Sequence, residues 1–193
     1  KDYQHQVLKA VYNPNTTSLQ AAIKRLCDEA VEAVKGGAVL LIVSDREIGK
    51  ELIQIPAPLS VGAIQQRLVE TNLRCDANIV VETGSARDPH HFAVLIGLGA
   101  TAVYPYLAYE SLANMVARGA ISKPLRVVTA NFRNGINKGL YKIMSKMGIS
   151  TISSYRCARL FELVGIGNEV AEVCFKGMVS RINGAGFAEL EGD

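Results

Sequence analysis

Four short stretches carry side chains whose types could do chemistry: Ser44-Asp45-Arg46, Glu82 to Arg87, Tyr104, and Ser153 to Arg156. Each comes directly after a short apolar, β-branched run, the pattern of a strand opening onto a loop. In parallel α/β folds, sites gather at the carboxyl ends of strands. Asp45 and Glu82 are therefore candidates for a carboxylate pair, for acid–base work or for holding a hard cation. Arg46, Arg87 and Arg156 have the planar forks that clamp an anion. Ser44, Thr83, Ser85, Tyr104, Ser153 and Tyr155 supply hydroxyls. The competing use of the same residues is mutual: caps and ion pairs that tie the loops of neighbouring units together. One charge of each sign per loop favours that second use.

Other motifs point less firmly at chemistry. His90 and His91 suggest a metal or a proton shuttle, but neighbouring helical side chains diverge by about 100°, so both cannot easily reach one ion. Behind Asp88-Pro89 they also open a helix, where a cationic imidazole is disfavoured, so neutral hydrogen-bonded rings are expected. Gly97-Leu98-Gly99-Ala100-Thr101-Ala102 matches a relaxed dinucleotide fingerprint. The fingerprint needs a strand before it, and Asp88-Pro89 puts Val94 to Ile96 in a helix. Lys138, Lys142 and Lys146 form a stripe at i, i+4 spacing with no aromatic platform, which suits a solvated or domain-contacting face better than nucleic acid. Cys27, Cys75, Cys157 and Cys174 are widely spaced, and are expected to be buried free thiols of a reducing compartment rather than a zinc or iron–sulfur set.

Periodicity supplies the elements that would position these groups. Thr17 or Ser18 caps a helix to about Lys35, with Leu19, Ile23, Leu26, Ala30 and Val34 inward. Ala38 to Val43 and Ala77 to Val81 are continuous apolar runs, as in strands buried on both faces. A helix is expected from about Ser60 to Thr71, another from Asp88-Pro89 to Leu98, then a strand Thr101 to Val103 and a helix to Arg118. A long helix with Ile136, Leu140, Ile143, Met144 and Met147 inward ends at Gly148. Ile149 to Ile152 reads as a fourth strand, and Ser153 or Ser154 as the cap of a last helix through Ala158, Leu160, Phe161 and Val164. Lys1 to Thr17 shows no clear period and is assigned to a preceding unit. Strand and helix thus alternate four times with connections too long for hairpins, implying parallel strands with right-handed crossovers. The fold class is α/β: an incomplete (β/α) barrel or a small open parallel sheet, with residues 1–193 as a single domain.

A formal charge of +3 does not argue for nucleic acid or a membrane surface, and the apolar runs are too short to span a bilayer. No nucleophile elbow, Ser-His-Asp order or Gly-Lys-Ser/Thr phosphate loop is present. The chain opens at Lys1, and the expectation is a piece of a longer protein.

Several stretches resemble the central domain of the glutamate synthase large (alpha) subunit, bacterial NADPH-dependent type. They are Leu41 to Arg46, Val81 to Ala86 with His90-His91-Phe92-Ala93, Gly97 to Leu107, and above all Lys138 to Arg156 with its run Lys-Ile-Met-Ser-Lys-Met-Gly-Ile-Ser-Thr. The resemblance implies a connecting domain, in the cytoplasm, that joins a glutaminase domain to an FMN domain and contributes to the wall of an ammonia tunnel. The implied whole enzyme makes L-glutamate from L-glutamine and 2-oxoglutarate with NADPH. Its large subunit is implied to hold FMN and a [3Fe-4S] cluster, and its small subunit NADPH, FAD and [4Fe-4S]. No cofactor, nucleic acid or membrane is expected for this stretch by itself, which is expected to be inactive alone. The sequence departs from the family's pattern in lacking the N-terminal catalytic cysteine and the closely spaced cysteine triplet. Cys157-Ala158-Arg159 stands where many relatives have Gly-Ala-Gln, and Phe175 to Met178 and Ser180 to Asn183 also differ. The other function class consistent with the residues is a free-standing half-barrel enzyme acting on a phosphorylated small molecule through Asp45 and Glu82.

Overall fold

Right-handed crossovers between neighbouring parallel strands put every connecting helix on the same face of a sheet, and that arrangement sets the architecture here. The computed structural model describes residues 3–192. A four-stranded parallel sheet runs in the order β1 (His5–Lys9), β3 (Leu40–Ser44), β5 (Asn78–Glu82), β6 (Ala102–Tyr104). The connections are α1 (Leu19–Lys35), α2 (Ala57–Glu70) and α3 (Pro89–Gly97), and α4 (Tyr106–Ala117) comes after the last strand. Four strand–helix units succeed one another without reversal, as in half of a (β/α) barrel, and the sheet stays open. Beside it, β2 (Val11–Tyr12) and β4 (Ile53–Gln54) form a small antiparallel pair.

The core lies between the sheet and its helices. Leu8, Leu41, Val43, Ile79 and Val81 project to that side and pack against Leu19, Ile23 and Leu26 of α1 and Val61, Ile64 and Leu68 of α2. Local signals set the helix ends. The Ser18 hydroxyl accepts the Ala21 N–H at the start of α1, and Asp88 accepts from the N–H groups of His90 and His91 ahead of Pro89. Gly99 leaves α3 at φ +121°, a backbone angle that a Cβ would strain.

The sequence expectation holds for the alternation and for the strands centred on residues 41, 79 and 103, but three of its elements are wrong. The stretch assigned to a preceding unit contains β1, which pairs with β3 residue for residue from His5↔Leu40 to Lys9↔Ser44. As an edge strand it carries His5, Gln6 and Lys9 exposed, so its apolar alternation is diluted below recognition. The expected fourth strand, Ile149 to Ile152, does not form. The long helix α5 (Leu125–Lys146) begins eleven residues before Ile136, ends at Gly148 (φ +68°), and passes through a loop to the short helix α6 (Ile152–Tyr155). The expected helix from Ser153 to Val164 is absent too. Cys157 and Arg159 both take positive φ, and β7 (Glu162–Ile166) comes next.

β7 joins β8 (Val179–Ala185) in a separate two-stranded parallel sheet through α7 (Asn168–Cys174), with α8 (Phe187–Gly192) closing the described chain. Val170 and Cys174 of α7 pack into the main core, and Gly62 of α2 makes room for the Cys174 carbonyl. The cysteines divide: Cys27 and Cys174 are buried, whereas Cys75 and Cys157 are exposed, contrary to the expectation for all four. Cys75 lies in the loop after α2 and Cys157 in the turn after α6, where thiols meet solvent instead of core.

Candidate functional site

β3 and β5 end in register, Ser44 beside Glu82, so the loops leaving them are forced together. The Ser44 hydroxyl donates to Glu82 Oε2 at 2.6 Å, and Arg46 Nη1 donates to Glu82 Oε1 at 3.0 Å. The second arm of Arg46 donates to Glu110 Oε1 of α4 at 2.5 Å, and its guanidinium lies 4.9 Å from the Tyr106 ring centroid. The Glu82 hydrogen bond is the chief reason the guanidinium pKa is raised. Asp45 is 2% exposed. Its carboxylate accepts from the Thr83 hydroxyl and from the Gly84 N–H at 3.0 Å. Thr83 Oγ1 in turn lies 2.9 Å from Ser85 Oγ and accepts the Ser85 N–H at 3.2 Å. Burial, then the Asp45 carboxylate, pushes the Tyr106 phenol up to about 12, so it stays a neutral hydroxyl at physiological pH.

Six of the sequence candidates therefore meet in one network: Ser44, Asp45, Arg46, Glu82, Thr83 and Ser85. Its two carboxylates do not act as a pair. Asp45 is occupied by Thr83 and Gly84, and Glu82 by Ser44 and Arg46. Sequence reasoning missed Tyr106, Glu110 and Gly84. The available signal was Tyr106, which opens α4 and turns back over the strand ends, buried, whereas Tyr104, the residue singled out, points outward at 45% exposure beside Tyr109.

The remaining candidates lie elsewhere. Arg87 and His90 are exposed on the rim of an open cleft of about 380 Å³ between the starts of α2 and α3, which Ser85 and His91 also line. His91 Nδ1 accepts the Arg87 N–H at 3.2 Å, and His90 sits edge-on to Phe161. The His91 N–H bond to Asp88 is the first of the causes that lower that carboxyl's pKa. Arg156 donates to Thr101 Oγ1 at 3.1 Å, before β6 starts and so at the opposite end of the sheet from Arg46. The three arginines do not converge on one anion. Lys146 is exposed in the last turn of α5, and Ser153 Oγ lies 3.2 Å from Thr151 Oγ1. Tyr155 is 1% exposed in an apolar cluster with Ala93 and Met144, its hydroxyl without a hydrogen-bond partner among the described residues and its pKa raised by burial.

The glycine-rich fingerprint resolves as sequence context suggested: Gly97 is the last residue of α3, not the turn after a strand. Among the described residues no three His, Cys, Asp or Glu side chains converge on one point. No described helix is long and apolar enough to cross a membrane. What the strand-end arrangement can do is brace: it locks β3, β5 and α4 to one another through donors and acceptors that satisfy each other.

The family model described as "Glutamate synthase central domain" matches residues 1–167. The glutamate synthase [NADH] of Schizosaccharomyces pombe is 44% identical over 172 residues, which is 88% of this chain and 8% of that protein. The glutamate synthase [NADPH] large chain of Azospirillum brasilense is 45% identical over 175 residues, 90% of this chain and 12% of that protein. The chain thus spans about a tenth of the length of these curated relatives. Among solved structures, a point mutant of flavocytochrome b2 superposes with a TM-score of 0.52 at 18% identity, covering 82% of this chain and 41% of that one. That likeness is one of fold.

Proposed function

Since the chain belongs to the glutamate synthase central domain family, we propose that it is the connecting domain of a glutamate synthase large subunit, residues 1–193 acting as one unit. In this reading it holds a glutaminase domain and an FMN domain of the same polypeptide at a fixed separation. It also lines part of the passage that carries ammonia between them. The whole enzyme converts L-glutamine and 2-oxoglutarate to L-glutamate with NADPH, in the cytoplasm. FMN and the [3Fe-4S] cluster belong to other parts of the large subunit, and FAD and [4Fe-4S] to a small-subunit partner.

One observation carries the reading: the strand ends, where a parallel α/β fold keeps its chemistry, are closed on themselves by Ser44, Asp45, Arg46, Glu82, Thr83 and Glu110. A group that already has its partners serves position better than turnover. The same observation disfavours a free-standing half-barrel enzyme using Asp45 and Glu82.

Two measurements test the proposal. The 193-residue chain titrated with FMN, or incubated with glutamine, is expected to show neither micromolar binding nor hydrolysis, and either result would overturn the spacer role. In the whole polypeptide, Arg46→Ala is expected to lower glutamate formed per glutamine hydrolysed, with the missing ammonia appearing in solution. Loss of hydrolysis and synthesis in equal proportion, with no ammonia released, would speak for a catalytic role instead.

A further inference from the structure

The sheet has two faces and its helices cover one. Partners in a parallel ladder project to the same side, so Val7, Ile42, Val80 and Ala102 form a continuous row across all four strands, on the side opposite Leu8, Leu41 and Val81. None of the four belongs to the packed core, and Val7 is 45% exposed although it is aliphatic and mid-strand. Leu40 extends the row on β3. With strands about 4.8 Å apart, the row is roughly 14 Å wide. All-parallel sheets are covered on both faces with very few exceptions, and in a closed barrel this inner face is filled by side chains from the other strands. The outer edges of β1 and β6 are also unpaired in the sheet order.

We infer that this helix-free face is an intramolecular docking surface, covered by an apolar segment of the same polypeptide from outside residues 1–193. Three observations select that occupant. Relatives carry the matching stretch within chains roughly ten times as long, so covering segments are in ready supply on the same chain. The row is aliphatic at its centre but ends in Lys9, Ser44, Glu82 and Tyr104 at one rim, which suits an apolar segment with a polar end. A second copy closing a barrel would have to pair its own first strand along β6, which offers only three residues. The inference rests on the connecting-domain reading and makes it specific, assigning the contact to the sheet face instead of the helix layer.

The test uses the whole polypeptide. Val7 and Val69, the latter on the outer side of α2, are matched in this chain at 45% and 47% exposure. Val7→Cys is expected to react with maleimide at least tenfold more slowly than Val69→Cys, scored by peptide mass spectrometry so that Cys75 and Cys157 do not interfere. Equal rates would overturn the inference, and Ala102→Cys, exposed in the same row on β6, repeats the measurement should Val7→Cys fold poorly. Benzoylphenylalanine at position 7 then identifies the occupant. A crosslink to a peptide of the same polypeptide beyond residues 1–193 supports the proposal. A crosslink to a second copy of the sheet, or none on illumination, refutes it. Neither refutation touches the ammonia-release measurement, so the two readings fail separately.

Discussion

Asp45→Ala is the sharpest test of whether the strand-end network holds the fold or performs chemistry. The carboxylate is buried and accepts two hydrogen bonds, from the Thr83 hydroxyl and the Gly84 N–H. Thr83 keeps a second contact to Ser85, so its loss is partial, but the half-buried Gly84 N–H loses the acceptor it has in the fold. An orphaned buried donor costs about 1–3 kcal/mol, the low end applying to the half-buried Gly84 N–H, and a hydrogen bond to a charged group contributes about 1.5–3. The sum, allowing for Thr83's remaining contact, is about 3 kcal/mol. For a chain of this length each kcal/mol shifts the melting point by about 2–4 °C, giving an expected drop of about 6–12 °C by circular dichroism. Asp45→Asn keeps one acceptor oxygen and should lose about half as much. A melting point unchanged within about 2 °C, together with loss of ligand binding or turnover, would refute the bracing argument and return Asp45 to the catalytic candidates.

Other parts of the molecule carry expectations of their own. Tyr155→Phe removes a buried hydroxyl that has no partner, so the denaturant midpoint should hold or rise, by up to about 1 kcal/mol; a clear loss would mean the hydroxyl is bonded. Gly62→Ala drives a Cβ into the Cys174 carbonyl and pries α2 from α7. A loss of about 1–3 kcal/mol is expected, and a neutral result would mean that α7 is not seated there. Burial pushes the Cys27 and Cys174 thiols up to about 12 from 9.0. A folded pKa above the unfolded one gives stability that is complete below about pH 9 and lost as pH rises toward about 12. Urea midpoints should therefore fall across that window, and a flat profile would show that both thiols are solvated. Under native conditions Cys75 and Cys157 should label with maleimide while Cys27 and Cys174 stay silent.

The sequence by itself determined the elements whose information is local. The 3.6-residue stripe of α1 with Ser18 at its head, the Asp88-Pro89 start of α3 and the apolar runs of β3 and β5 are each legible within a dozen residues. It also marked Ser44 to Arg46 and Glu82 to Arg87 as strand-end residues, because the loop leaving a buried strand in a parallel fold sits at that strand's carboxyl end. Tertiary structure decided the rest. β1 is a strand because β3 offers it a backbone ladder, and its own residues, mostly exposed, do not announce it. Ile149 to Ile152 has strand composition but no neighbour to pair with, so the chain turns into α6, and β7 forms only where β8 lies alongside. Whether Asp45 and Glu82 faced each other or separate donors depended on register, which composition does not encode. The open face of the sheet is likewise a property of how four strands align, since period-two alternation tells two faces apart but not which of them a helix will cover.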